Sequence, residues 1–250
     1  MINIKLDTVL QSITNPHEKT DFMERLFVQL NSRVQQILLF GPCNNSAAKK
    51  ASNIYFQGKE NRLFPIKSQG QDLDALPAII ANLLTPNRNL YLNDFEKYLK
   101  ISFLYGTGTC EFFAIVGAYI LATEFNVSLS IETAFADESH TYIRLHTTPE
   151  YIFDFWSQMA CEYSDTVTWN ETLGPTMLRK NSELKINARY SSDELIAMGN
   201  KVFTEENQLL RLKIIQDVMQ KVDQFKIKHT VLNTHKVAHK TEATYWSHHY

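Results

Sequence analysis

Cysteine is scarce and neither sign of charge dominates. Three cysteines, Cys43, Cys110 and Cys161, are scattered over 250 residues with no CxxC pair, which excludes a disulfide scaffold and dithiol or zinc-ribbon chemistry. They read as free thiols in a reducing, cytoplasmic-type compartment. With 25 basic against 27 acidic residues and a net charge of -2, no general field draws the chain to phosphate backbones or anionic membranes, so nucleic acid is not an expected partner. Long apolar runs are missing too. The longest, Phe112 to Ala122, covers eleven residues, against the roughly 20 a membrane-spanning helix needs. It predicts a buried helix and no membrane insertion. The first fifteen residues, broken by Asn, Lys, Asp and Gln, lack the apolar core of a cleavable signal peptide, so export by the general secretory route is not expected. There is no GxxxxGK[ST] loop, no HExxH and no zinc-type spacing, so the chemistry is expected to need no metal and no cofactor. Internal repeats are absent.

What is present is an ordinary globular composition, 44% hydrophobic and 21% charged, long enough for one domain over 1-250 with helical additions. Apolar residues from Phe22 to Leu38 recur at spacings of three and four, an amphipathic helix with Asn15 and Pro16 as start signals. The polar stretch from Gly41 to Gly70 reads mainly as loop, with a short apolar interruption near Ile54 to Phe56. Further helices are expected over 73-84, 93-103 and 110-124. Beyond Asn126 the period changes to two, so 127-135, 140-146 and 151-156 read as three strands of an antiparallel meander. The pattern is then weak until Ser191, an N-cap signal with acidic residues in the turn that follows. A long helix with Leu209, Leu212, Ile215, Val218, Met219, Val222 and Phe225 at near-heptad spacing comes next, followed by a polar tail from His229. The fold class is therefore α+β, with a helical part over 1-104, a central core over 105-160, a C-terminal part over 161-228 and a tail over 229-250.

A catalytic cysteine must reach its thiolate form, and the positive end of a helix beside an imidazolium lowers the thiol pKa from about 8.5. Gly108-Thr109-Cys110-Glu111 places Cys110 in the first turn of a helix, where backbone N-H groups lack intrahelical partners and can hold an oxyanion. A cysteine is more often a small buried hydrophobe; what sets this one apart is its company. His140 opens a strand, where an imidazole can project over the helix end. Asp154 sits in the otherwise apolar string Tyr-Ile-Phe-Asp-Phe-Trp, where a lone carboxylate costs several kcal/mol unless it is partnered. A turn near Thr148-Pro149 makes these strands neighbours, with pairing positions summing to about 294 to 297, so Asp154 is positioned to orient His140. His146, roughly 20 Å along the strand at about 3.3 Å per residue, cannot serve the same thiol. Asp137 and Glu138 are alternative orienting carboxylates, and Cys161 reads as structural. Trp156, on the same strand face as Asp154, is placed to shield the His-Asp bond or to line a substrate site together with Gly108 and Thr109. The second oxyanion donor is not evident: 104-109 holds no Gln or Asn, leaving Tyr105, Thr107, Thr109 or a distant residue such as Asn93.

Gly108-Thr-Cys-Glu-Phe-Phe-Ala114 resembles the G-x-C-x-x-F/Y-A motif of transglutaminase-like cores, and the wider set resembles papain-fold bacterial effector proteases, with Cys, His and Asp in the same order. The resemblance covers about 50 of the 250 residues. It departs from those groups in the short Cys110 to His140 interval of thirty residues and in Asp154-Phe155-Trp156, which stands where Asp-Pro is frequent. The resemblance implies a catalytic helix packed on a small antiparallel sheet, a thioester intermediate, a protein substrate, and delivery to a host cell by a specialised secretion system. Protease, deamidase and transglutaminase chemistry all stay open. So do an acyltransferase using acyl-CoA and a catalytically silent interaction module.

Overall fold

Asn15 and Pro16 do begin the first long helix: the Asn15 side chain accepts the His17 backbone N-H at 2.9 Å, and Pro16 occupies the first helical position. The computed structural model describes residues 4-59, 73-86, 94-135, 139-165 and 183-246. In chain order the elements are α1 (Leu6–Ser12), α2 (Pro16–Ile37), β1 (Gly41–Pro42), α3 (Ser46–Lys59), α4 (Leu76–Leu84), α5 (Phe95–Tyr105), β2 (Thr107–Gly108) and α6 (Cys110–Glu124). Then come β3 (Ser128–Phe135), β4 (Ser139–Leu145), β5 (Tyr151–Asp154), β6 (Met159–Glu162), β7 (Glu183–Ser191), α7 (Ser192–Val202) and α8 (Glu205–Trp246). The architecture is α+β.

Strands β3 to β7 form one antiparallel sheet in the order β6-β5-β4-β3-β7. One side of it carries Leu129, Ile131, Ile143, Leu145, Tyr151 and Phe153, which share a core with Met23, Phe27 and Leu30 of α2 and with the apolar body of α6. Apolar on nearly every side, α6 is enclosed as the eleven-residue run requires. A second core joins Tyr55 of α3, Leu76 and Ile80 of α4, and Val218 and Val222 of α8. Among the described residues, no helix is long and apolar enough to cross a membrane.

Three sequence expectations change. Within the stretch from Gly41 to Gly70 read mainly as loop, Ser46–Lys59 is helical, started by Asn45, whose side chain accepts the Ala48 N-H at 2.8 Å, and 60-70 lie outside the described residues. Its apolar signal is thin because, beside Tyr55, its buried contacts are made by the small side chains of Ala48 and Ala51. Strands β6 and β7 went unread: β6 has only four residues, and β7 was passed over although Leu184, Ile186, Ala188 and Tyr190 alternate with polar residues. The polar stretch from His229 continues as helix to Trp246. The Ser191 signal holds, forming a full capping box with Glu194.

Phe153 is fully buried and packs edge-on to Phe27 at 5.3 Å between ring centroids. Phe153→Ala is expected to destabilise the protein by about 3 to 5 kcal/mol, read as a lowered urea midpoint with an unchanged slope.

Candidate active site

The loop that delivers Cys110 is held by strand pairing. Gly106 ends α5 in the left-handed region at φ 64°, where a residue without Cβ carries no penalty. Thr107 and Gly108 then pair in parallel with Gly41 and Pro42. The register is extended by Phe40 N-H to Gly106 O at 2.8 Å and Cys43 N-H to Gly108 O at 3.0 Å. At Gly108 a Cβ would lie 2.3 Å from the Cβ of Phe112, so the glycine lets the first turn of α6 fold back on its own approach. Cys110 is the first residue of that helix. The first intrahelical acceptor, Thr109 O, takes the N-H groups of Phe112 and Phe113, which leaves those of Cys110 and Glu111 ahead of the ladder.

The meander brings the other two groups to the same place. Ile143 opposes Phe153, a register inside the range the sequence allows. Continued outward, it puts Asp154 opposite Tyr142 and diagonal to His140 on one sheet face, within reach of a ring. The Asp154 Oδ2 and His140 Nε2 are 2.5 Å apart, with both side chains nearly sealed from solvent. The other oxygen, Oδ1, accepts the backbone N-H groups of Trp156 and Ser157, each at 3.1 Å. That turn ends β5 at Asp154, two residues before the limit the sequence suggested. Cys110 lies close enough to the His140 ring for its sulfur to favour the charged imidazole. Since Nε2 is committed to the carboxylate, Nδ1 is the nitrogen left for the thiol. The three residues singled out from the sequence thus converge, with Cys110 5%, His140 4% and Asp154 1% exposed.

Burial disfavours a charged imidazole, but the hydrogen bond and charge of Asp154, reinforced by Cys110, outweigh it and push the His140 pKa up to about 10. Glu111 lies against the thiol: the Cys110 Sγ is 3.5 Å from its Oε2, which also accepts the Thr109 hydroxyl. Trp156 stands beside the histidine, ring centroids 5.4 Å apart, and its indole N-H donates to the Asn44 Oδ1 at 2.9 Å.

The rivals fall elsewhere. His146 pairs with Glu150 at 3.1 Å, Cys161 is buried in a small cluster with Tyr142 and Ile152, on β6 opposite Ile152, and Asp137, Glu138 and Asn93 lie outside the described residues. Sequence reading missed two features. Asn44 carried no signal, because the segment that brings it to Trp156 is placed by pairing between β1 and β2. Glu132, on a strand read as half-solvated, is fully buried and accepts from the Ser130 hydroxyl at 2.7 Å and the Tyr142 hydroxyl at 3.1 Å. Burial and that carboxylate raise the Tyr142 pKa. Among the described residues, no group of three His, Cys, Asp or Glu side chains is arranged to hold a metal ion.

No protein-family model matches the chain, and no curated protein matches it at a significant level.

The raised His140 pKa fixes a pH window. Its folded value lies above the ordinary 6.5, so the stability it contributes is complete below about pH 6.5 and is lost as pH climbs towards 10. Imidazole resonances of His140 followed by NMR are expected to stay protonated through neutrality. In Asp154→Asn, where burial acts without its counter-charge, the midpoint is expected to fall below 7.

Proposed function

We propose that this protein is a thiol-dependent acyl-transfer enzyme built on a papain-like or transglutaminase-like core, acting on an amide of a protein or peptide. The observation that carries the reading is a buried His140-Asp154 pair beside a cysteine that opens a buried helix. The reaction starts from a thiolate-imidazolium pair of Cys110 and His140, in which the thiolate attacks the carbonyl carbon, forming a C-S bond while the carbonyl π pair moves to oxygen. When the oxyanion collapses, the C-N bond breaks and the leaving nitrogen takes the proton from His140, leaving a thioester. Water or an amine then attacks with His140 as base, the C-S bond breaks, and the thiolate-imidazolium pair is restored. Asp154 holds the ring in the tautomer that both steps require and stays ionised throughout.

Thiol reactivity tests this against simple exposure. Cys43 is the most exposed of the three cysteines, and Cys110 and Cys161 are buried, so unactivated thiols would place Cys43 first with iodoacetamide. The acyl-transfer reading expects Cys110 to be alkylated first at mildly acidic pH, by about tenfold or more, with that advantage lost in His140→Ala. Slow labelling ordered by exposure would overturn it. Retention of a protein from cell extract by Cys110→Ser would then separate hydrolase from transferase chemistry.

A further inference from the structure

The geometry points to Asn44 as a catalytic residue, its side-chain N-H group donating a hydrogen bond to the oxyanion formed when Cys110 attacks a carbonyl. This rests on the thiol-dependent reading above and supplies the second donor which that chemistry needs beside the backbone N-H of Cys110.

Three observations support it. The first concerns which way the carboxamide points. An indole N-H can only donate, so the Asn44 atom 2.9 Å from the Trp156 Nε1 is the oxygen, and the NH2 group is turned away from the tryptophan. Among the described residues no other hydrogen bond engages that side chain. The second is rigidity. Cys43 on one side is pinned by its N-H to Gly108 O, and Asn45 on the other is fixed as the start of α3. Asn44 is therefore held between two anchored neighbours, one of them bonded to the residue two before the nucleophile. The third is elimination. The Thr107 hydroxyl donates to Gly41 O at 2.7 Å and the Thr109 hydroxyl to Glu111, so both threonines of the loop have spent their proton. Trp156, packed beside His140, carries the Asn44 carboxamide at the rim of the same site.

The discriminating experiment compares two reactions of one thiol. Alkylation by iodoacetamide displaces iodide at a saturated carbon and develops no oxyanion. Acylation by 4-nitrophenyl acetate forms a tetrahedral oxyanion, then releases 4-nitrophenolate and leaves an acetyl thioester. With Cys110→Ala subtracted as background, Asn44→Ala is expected to slow acylation by about 100- to 1,000-fold and to change alkylation less than threefold. Asn44→Asp keeps an acceptor for the indole but has no N-H to give, so it should lose acylation equally while the Trp156 fluorescence stays unchanged. Wild-type acylation rates in both variants would overturn the assignment and leave the thiol reading intact. So would a parallel loss of both reactions, which marks a purely structural residue. If the wild-type Cys110 neither alkylates preferentially nor acylates, the acyl-transfer reading itself falls and this assignment with it.

Discussion

A carboxylate with 1% of its surface exposed, at the end of an otherwise apolar strand, is the constraint on which the centre of the molecule depends. Left alone, Asp154 would cost several kcal/mol. Both of its oxygens are therefore engaged, Oδ1 by two turn amides and Oδ2 by His140. The turn prevents the carboxylate from rotating, the carboxylate prevents the ring from rotating, and the ring's remaining nitrogen is left for Cys110. Removing the histidine strands a buried charge. Removing the aspartate leaves a buried imidazole to be neutralised by desolvation. The stability of the centre and the chemistry proposed for it thus lean on one hydrogen bond.

Glu132 shows what a buried carboxylate looks like when it is only structural. It is sealed in the same sheet and meets the Ser130 and Tyr142 hydroxyls, with an Arg144 guanidinium nitrogen 3.8 Å away. Arg144 in turn pairs with Glu150 and lies 3.6 Å over the Tyr163 ring. Every link in that network ends on a group that stabilises the resting protein. The chain from Asp154 through His140 ends instead on a thiol, a group that can form a new bond. Depth of burial does not separate the two carboxylates; the last member of each chain does.

The central third of the fold could be read because its periods are unambiguous. Eleven apolar residues in a row can only be an enclosed helix at this length, and the change to a period of two after Asn126 marks the meander. One aspartate in an apolar strand asks for a partner, and the nearest histidine at a strand start supplies it. Local pattern fails where position comes from pairing at a distance. Asn44 sits 66 positions before Cys110 and beside Trp156 only because β1 lies along β2. Helix α3 buries alanines, which leave little apolar signal, and Glu132 looks solvent-facing until the polar groups that surround it are placed.

The short Cys110 to His140 interval, the feature least like the groups this sequence resembles, has a geometric explanation. Helix α6 has 15 residues and so advances about 22 Å at 1.5 Å per residue. Strand β3 has 8 residues and covers about 26 Å at 3.3 Å per residue. The chain therefore travels out along the helix and returns along the strand by nearly the same distance, and β4 begins back at the level of the helix N-terminus. His140, second in β4, arrives beside Cys110 with little chain to spare. Strand β4 then leads away and β5 returns, so Asp154, the last residue of β5, reaches that same end of the sheet. Shortening α6 by one turn would carry the return strand past the thiol, and lengthening it would leave the histidine short. Thirty residues is thus close to the smallest interval with which a helix followed by an antiparallel pair can bring these groups together.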